Sequence, residues 1–538
     1  MNITHQGNLT FYSFGNMAYD ALDVHSSHMY KREIDEAASV EFNYGVASGD
    51  PLSDRVVIWT KLDVTMDEKV TVTYKLYTDE EMTQIAISSS TYTTSDVDFV
   101  VKVDAVGLQP FTFYWFEFES NGIKSIKGRT KTLPLEDADI NNLRIGVASC
   151  ANMAYGYFNS YEALNESDPD FVVFLGDSIY EHPDKEYGDG SRFEPSRTPE
   201  PNKRLLTLED YRKRHAQYHR DPQLQLALQN RPFIHIWDDH EISNNAYMNG
   251  SPTHEKDHGP FKNQLKAGMR AFFEHTAIRH PFDTESIRIY RSFKIGKLAN
   301  LIMIDTRYIG RQKQEESPSE IKGSKRTMLG YEQEEWLKNE VLKSKERGSI
   351  WTILGNQVVM GQFDVGNSIL RRVALADAWD DYPASRSRFY DVLEENDIQG
   401  LVVLTGDVHV SLASQLMRDP YRMSKLKRFS RKITNGFRRL FGQKQKQDEQ
   451  ILGIELVTPA IASFSIEDKT KAKLARSVLW TQPHIRHGEF HYKGFMIVEF
   501  NKERVKSTWF KVDTCDKIDY KVEISKVLVA DRQDMSLK

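Results

Sequence analysis

Residues Pro232–Asn245 read "PFIHIWDDHEISNN". An apolar run ends abruptly in Asp238, Asp239, His240 and Glu241. A buried strand that stops in four titratable side chains brings them to one edge of a sheet. In α/β folds, ligands bind outside the carboxyl ends of the strands. The stretch therefore predicts an α/β domain with its chemistry at the strand ends.

The rest of the second half repeats the pattern. "LRIGVAS" runs into Cys150, and "DFVVFLGD" into Asp177 with Tyr180 three residues on. "LANLIMID" ends in Asp305, and "GLVVLTGDVHV" carries Asp407 and His409. Helical patterns such as "TLEDYRKRHAQYHRDPQLQLALQN", "YEQEEWLKNEVLKSKE" and "SRSRFYDVLEEND" alternate with these strands. An Asp after a single strand is often only a helix cap, and a single Cys there is often a small buried hydrophobe. Their recurrence, with two Gly-Asp pairs in "LGDSIY" and "TGDVH", points to a common site, because glycine lets the backbone approach a ligand closely.

The donor types are mixed. Thiolate, phenolate and imidazole suit a transition metal, phenolate in particular ferric iron, whereas carboxylates suit calcium, magnesium or manganese. One redox-type metal and at least one hard cation fit this set, with Asp177 as the bridge. A two-metal site clamps a phosphoryl group for in-line attack.

The 538 residues exceed one ordinary core, so more than one domain is expected. Hydrophobic residues at 40% and charged residues at 28% mark a globular chain. The net charge of -6 argues against a polyanion partner for the whole protein, and no specific nucleic-acid reader stands out. Two cysteines, Cys150 and Cys515, exclude a disulfide framework. The chain as written shows neither an export signal nor an apolar run long enough to cross a bilayer, so it reads as soluble and leaves the compartment unassigned.

Residues 1–41 lack periodicity and read as an arm. From 42 to 134 short segments rich in Val, Thr, Tyr and Phe, such as "DRVVIWTKLDV" and "FTFYWFEFES", predict an antiparallel β-sandwich. "LPLEDADINN" is the linker to the α/β domain, expected over 143–515, with 516–538 as a C-terminal extension. Within that domain, residues 421–446 hold ten Lys or Arg and no acidic residue, with Leu426, Phe429, Ile433, Phe437, Leu440 and Phe441 at helical spacing. Such a segment either packs its apolar stripe on the protein or contacts an anionic membrane or polyanion.

The ordered set "YGVASGDPLSDRVVIWTKL", "VASCANM", "FLGDSIYEH", "WDDHEISNN", "IDTRYIG", "LGNQVVMGQ", "DAWDDYPASRSR", "LTGDVHVSL" and "IELVTPAIAS" resembles the PhoD-like alkaline phosphatases, a branch of the metallophosphoesterases related to purple acid phosphatases. The resemblance covers about 42–515. It implies a fibronectin- or immunoglobulin-like N-terminal domain and a four-layer catalytic domain, a double β-sheet with helices on both faces. It also implies ferric iron with one or two calcium ions. By matching motif, Cys150, Asp177, Tyr180 and His409 would hold the iron, and Asp177, Asp239 and Asp407 the calcium, joined by Asn244 with Asn245 beside it. A metal-activated hydroxide would attack a phosphate ester, and His240 would stabilise the transition state or protonate the leaving oxygen. Asp238 and Glu241 would orient the ligands.

Arg307 of "DTRY" has two readings, a fork for the substrate phosphate or a buried ion pair with Asp305 or another carboxylate. His182 reads as a surface or supporting residue, and Asp380 and Asp381 as a solvated loop. Members of the resembled family often carry a twin-arginine export signal, which this chain does not show. Phosphomonoesters and phosphodiesters both suit the motifs. The competing classes are a non-catalytic metal-containing protein that binds a polymer or membrane, and a serine esterase; no G-x-S-x-G elbow stands at a strand end.

Overall fold

The computed structural model describes residues 3–4, 39–65, 69–280, 287–315, 317–363, 377–421 and 450–538. The basic segment 421–446 lies, apart from Tyr421, outside the described residues, and so does most of the arm 1–41.

Two large sheets lie face to face. The first has ten strands, and at its centre are Asn142–Ala148, Phe171–Phe174 and Pro232–His235, which are mutually parallel. Every residue of Phe171–Phe174 and of Pro232–His235 is buried, as expected for continuous apolar runs covered on both faces. The second has seven strands around Trp351–Asn356, Leu401–Thr405 and Gly453–Val457, again parallel. Ile145, Val147, Val173 and Ile234 of the first sheet share one core with Leu301, Ile353, Leu404 and Leu456 of the second.

Helices cover the outer faces. Leu208–His219, Pro222–Asn230 and Phe261–His275 contribute to a core with the first sheet, and Tyr331–Glu346 and Pro383–Glu395 to one with the second. Their starts are written locally. Thr207 and Asp210 form a capping box, and Asp221 caps a helix that begins with Pro222. The four layers implied by the motifs are therefore present.

The N-terminal β unit differs in one respect from a sandwich that simply precedes the catalytic domain. Its two layers enclose Val46, Ile58, Val72, Leu76, Phe116 and Phe118. One layer, Val46–Gly49, Arg55–Lys61 and Val100–Val106, continues the ten-stranded sheet, because Ser48 and Gly49 pair in parallel with Pro232 and Phe233. Gly49 makes this junction fit: a Cβ there would lie 2.4 Å from the Ala277 carbonyl oxygen and 2.5 Å from that of Phe233. At the other end, Lys521–Asp531 pairs along Arg504–Val512, so the same sheet runs on past residue 515. Hydrophobic pattern marks a strand but not which neighbour it joins, and both outcomes rest on that choice.

Candidate metal and phosphoester site

The polar strand ends converge at one edge of the double sheet. Backbone geometry is unusual there: Cys150 (φ 62°), Asp177 (φ 58°), Asp407 (φ 65°) and His409 (φ 57°) are all left-handed. Side chains with a Cβ pay for that conformation, and such strain gathers at functional sites. Gly176 brings two of the turns together. It sits at φ 97°, and a Cβ on it would lie 2.4 Å from the Asp238 backbone nitrogen.

One donor group comprises Cys150, Asp177 and His409, whose ligand atoms lie within 4.8 Å of one another. Tyr180 joins them, its hydroxyl 3.1 Å from Asp177 Oδ2 and 3.2 Å from His409 Nε2. A second group is Asp177, Asp239 and His240, and a third Asp238, Asp239 and Asp407. Asp177 and Asp239 thus link the groups into one centre. Asn244 stands at its edge. Its N–H donates to Glu181 Oε1 (2.8 Å) and its carbonyl accepts from Ser251 Oγ (2.7 Å), while the N–H of Asn245 donates to Asp239 Oδ2.

Electrostatics tests whether these donors fit metal ions. Among the described residues no lysine or arginine pairs with Asp177, and only a distant His409 contact (3.9 Å) approaches an ion pair. Burial, then the charges of Asp239, Glu241 and Asp407, push the Asp177 carboxyl well above the usual range, although His240 opposes this. Burial also raises the Cys150 thiol and the Tyr180 phenol, with Asp177 adding to both. Asp407 is pushed up to about 7, chiefly by burial. A buried set with more anionic donors than neighbouring cations is stabilised by an outside positive charge, and a bound metal displaces the protons the donors would otherwise hold. The thiol, phenol, imidazole and carboxylate donors fit such a charge.

The supporting groups are equally specific. Glu241 accepts from the backbone N–H groups of Asp177 (3.0 Å), Ser178 and Asp238 (2.8 Å), and so ties the two turns together. His240 Nδ1 is 2.8 Å from Glu181 Oε2. Burial opposes its charge, yet Asp239, Glu181 and Asp177 hold the imidazole well above its ordinary pKa. Arg307 is fully buried, and its three guanidinium nitrogens each bond a carboxylate: Nε to Asp238, Nη1 to Asp377 and Nη2 to Asp407 at 3.0 Å. Asp239 lies 3.5 Å from Nη2. Asp305 is not among these partners; its carboxylate caps the turn by accepting from the Arg307 and Tyr308 N–H groups.

One sequence expectation is corrected here and another is narrowed. Asp380 and Asp381 are not a solvated loop: Asp380 bonds Arg386 (2.7 Å) and Asp381 bonds Arg326 (3.1 Å), two structural ion pairs. His182 is not a surface residue but a buried one, against Glu181, Glu186 and the ring of Tyr187, which leaves the supporting alternative. Three residues of the centre were not singled out by the sequence. Glu181 follows Tyr180 directly, and that adjacency was the available signal. Asp377 stands in the quoted "DAWDDYP" block, but nothing local separates it from Asp380. Tyr187 follows in "DKEYGDG" with no strand end to mark it.

A family model described as "PhoD-like phosphatase" matches residues 145–509, and one described as "PhoD-like phosphatase, N-terminal domain" matches residues 28–134. Alkaline phosphatase D of Bacillus subtilis (strain 168) is 35% identical over 396 residues, spanning 71% of this chain and 67% of the Bacillus protein. A solved structure described as "Structure of PhoD" superposes with a TM-score of 0.79 at 28% identity, covering 92% of this chain and 91% of that one. With both of its parts matched in order and the polar strand ends gathered into one centre, the chain belongs to the PhoD-like phosphatase family.

Proposed function

We propose that this chain hydrolyses phosphoric esters at the centre formed by Cys150, Asp177, Tyr180, Asp239, Asp407 and His409, with ferric iron and one or two calcium ions as its metals. One observation carries the reading: a thiol, a phenol, an imidazole and three carboxylates converge at the strand ends, and Asp177 among them pairs with no lysine or arginine of the described residues. Cys150, Asp177, Tyr180 and His409 would hold the iron. Asp177, Asp239 and Asp407, with Asn244 at the edge, would hold calcium. Bound there, the metals supply positive charge that draws on the phosphoryl oxygens and acidifies a water.

The chain's own residues do the remaining work. Glu181 fixes the imidazole of His240 through Nδ1, which leaves Nε2 for the reacting group; a proton on Nε2 can bond or protonate the leaving oxygen. Glu241 fixes the backbone on which Asp177 and Asp238 sit. We assign Arg307 to positioning the carboxylates Asp238, Asp377 and Asp407, since each of its nitrogens is already bonded to one, rather than to binding the phosphate.

The deciding experiment combines metal analysis of the purified protein with assays on a chromogenic phosphomonoester and phosphodiester. Iron, calcium and hydrolysis of at least one ester are expected. Protein that holds no metal when grown and purified with both present, and cleaves neither ester, defeats the proposal. The basic segment 421–446 is proposed as a contact for an anionic membrane or polyanion. Neutralising its Lys and Arg over 425–439 should abolish binding to anionic vesicles, and unchanged binding refutes that contact.

A further inference from the structure

Beside the centre lies an aromatic residue that the mechanism above does not use. Tyr187 is partly exposed, whereas the Tyr180 it packs against is buried. Its ring lies 5.6 Å from that of Tyr180 at an interplanar angle of 19°, and 5.3 Å from His182 at 16°. The His240 ring is 5.1 Å away. Three rings thus hold it, one the reacting histidine and one a proposed metal ligand.

The backbone that presents Tyr187 is equally fixed. Asn152, two residues past Cys150, donates from Nδ2 to the Tyr187 carbonyl at 2.7 Å, while its Oδ1 accepts from the Ala154 N–H. Gly188 follows at φ 114°, packed so closely that a Cβ would come within 3.0 Å of Ala154 and Tyr155. Asp184 accepts from the Gly190 N–H, and its own N–H donates to Asn202 Oδ1. A loop residue pinned at both ends is preorganised, which is what a binding contact needs.

What the ring leaves to present is its hydroxyl, which has no protein hydrogen-bond partner among the described residues, although Tyr180, its neighbour, bonds two. The ring contacts with Tyr180 and His240 place the phenol beside the centre, and a phenol carries its proton at neutral pH and can donate it in a hydrogen bond. A dianionic phosphoryl group is the acceptor such a donor suits.

We propose that Tyr187 is a substrate-binding residue whose hydroxyl donates a hydrogen bond to the phosphoryl group of the ester. The proposal rests on the phosphoric ester hydrolysis set out above and adds a contact to it. Exchange of Tyr187 for Phe tests it, because Y187F keeps the ring packing and removes only the hydroxyl. KM for a chromogenic ester and the inhibition constant of inorganic phosphate should both rise about ten- to hundredfold, the range for losing a hydrogen bond to a charged group. Metal content and melting temperature should stay at wild-type values. An active Y187F enzyme with both constants within twofold of wild type overturns the proposal. So does loss of metal or of several degrees of stability in Y187F, which would make the hydroxyl a structural group. Failure of the wild-type protein to cleave any ester defeats the hydrolase reading itself, and is thereby separate from failure at Tyr187.

Discussion

Acid should weaken this fold through histidines that lie away from the metal donors. His215, His219, His235 and His275 are all buried and line one cavity of about 30 Å³ behind the Ser178 turn, where Ala47 of the N-terminal β unit meets residues of four helices. Each leaves a ring nitrogen without a protein partner. His219 lies face to face with Trp59, centroids 4.4 Å apart, and its Nε2 bonds the His275 carbonyl at 2.9 Å. Burial, with His275, His235 and Lys61 adding to it, lowers His219 to about 3, and burial does the same to His235. The folded pKa lies below the unfolded one, so the unfolded chain binds more protons. Stability is therefore full above about pH 6.5 and falls as pH drops toward 3.

At pH 4.5 the unfolded His219 is protonated and the folded one is not. That difference, two pH units below the ordinary histidine value at ~1.36 kcal/mol per unit, costs about 2.7 kcal/mol. The perturbation is His219→Gln, whose amide nitrogen can reach the His275 carbonyl but cannot take up a proton. The assay is the denaturant midpoint and slope of both proteins at pH 7.5 and pH 4.5. Acid effects at the carboxylates and histidines of the candidate site are common to both proteins and cancel in the comparison. The variant should lose about 2–3 kcal/mol less than the wild type between the two pH values. Equal losses would refute the reasoning, because they would mean that His219 is not held neutral by its surroundings.

The remaining predictions concern the centre. Cys150→Ala should lower bound iron below half of the wild-type stoichiometry while the far-ultraviolet circular dichroism stays unchanged; full iron content would remove the thiol from the ligand set. Glu181→Gln should lower kcat by about 10- to 100-fold and shift the acid limb of the rate profile, because His240 loses the charge that orients it; an unchanged profile would show that the 2.8 Å contact is idle. Arg307→Met should destabilise the protein by about 3–5 kcal/mol in urea unfolding, since it leaves Asp238 and its neighbours buried without a cation, and a loss below 1 kcal/mol would contradict that role. Prolonged dialysis against a chelator should abolish ester hydrolysis, with recovery on adding back iron and calcium; activity that survives a metal-free preparation argues against metal chemistry.

Much of this molecule is determined by local sequence. The continuous apolar runs of "FVVF" and "PFIH" can only be covered strands, and their polar ends name Asp177, Asp239 and His240 as neighbours of a single edge. The same logic, strand by strand, yields Cys150, Asp407 and His409. Motif order then supplies the family, because the order of such blocks along a chain survives without any knowledge of how they pack.

Tertiary structure alone decided the rest. Asp377 and Asp380 are indistinguishable in "DAWDDYP", yet one bonds the buried Arg307 and the other Arg386, because a carboxylate's role depends on which cation the packing brings to it. Arg307 could have reached a phosphate or Asp305, and instead holds carboxylates from three separated stretches of chain. The N-terminal strands look like an independent sandwich in sequence, but hydrogen bonds across a sheet edge are satisfied by whichever strand arrives there. Pairing of Ser48 and Gly49 with Pro232 and Phe233 joins the two parts into one sheet. Side-chain pattern fixes which residues are buried, and long-range pairing fixes against what; the first is written locally and the second is not.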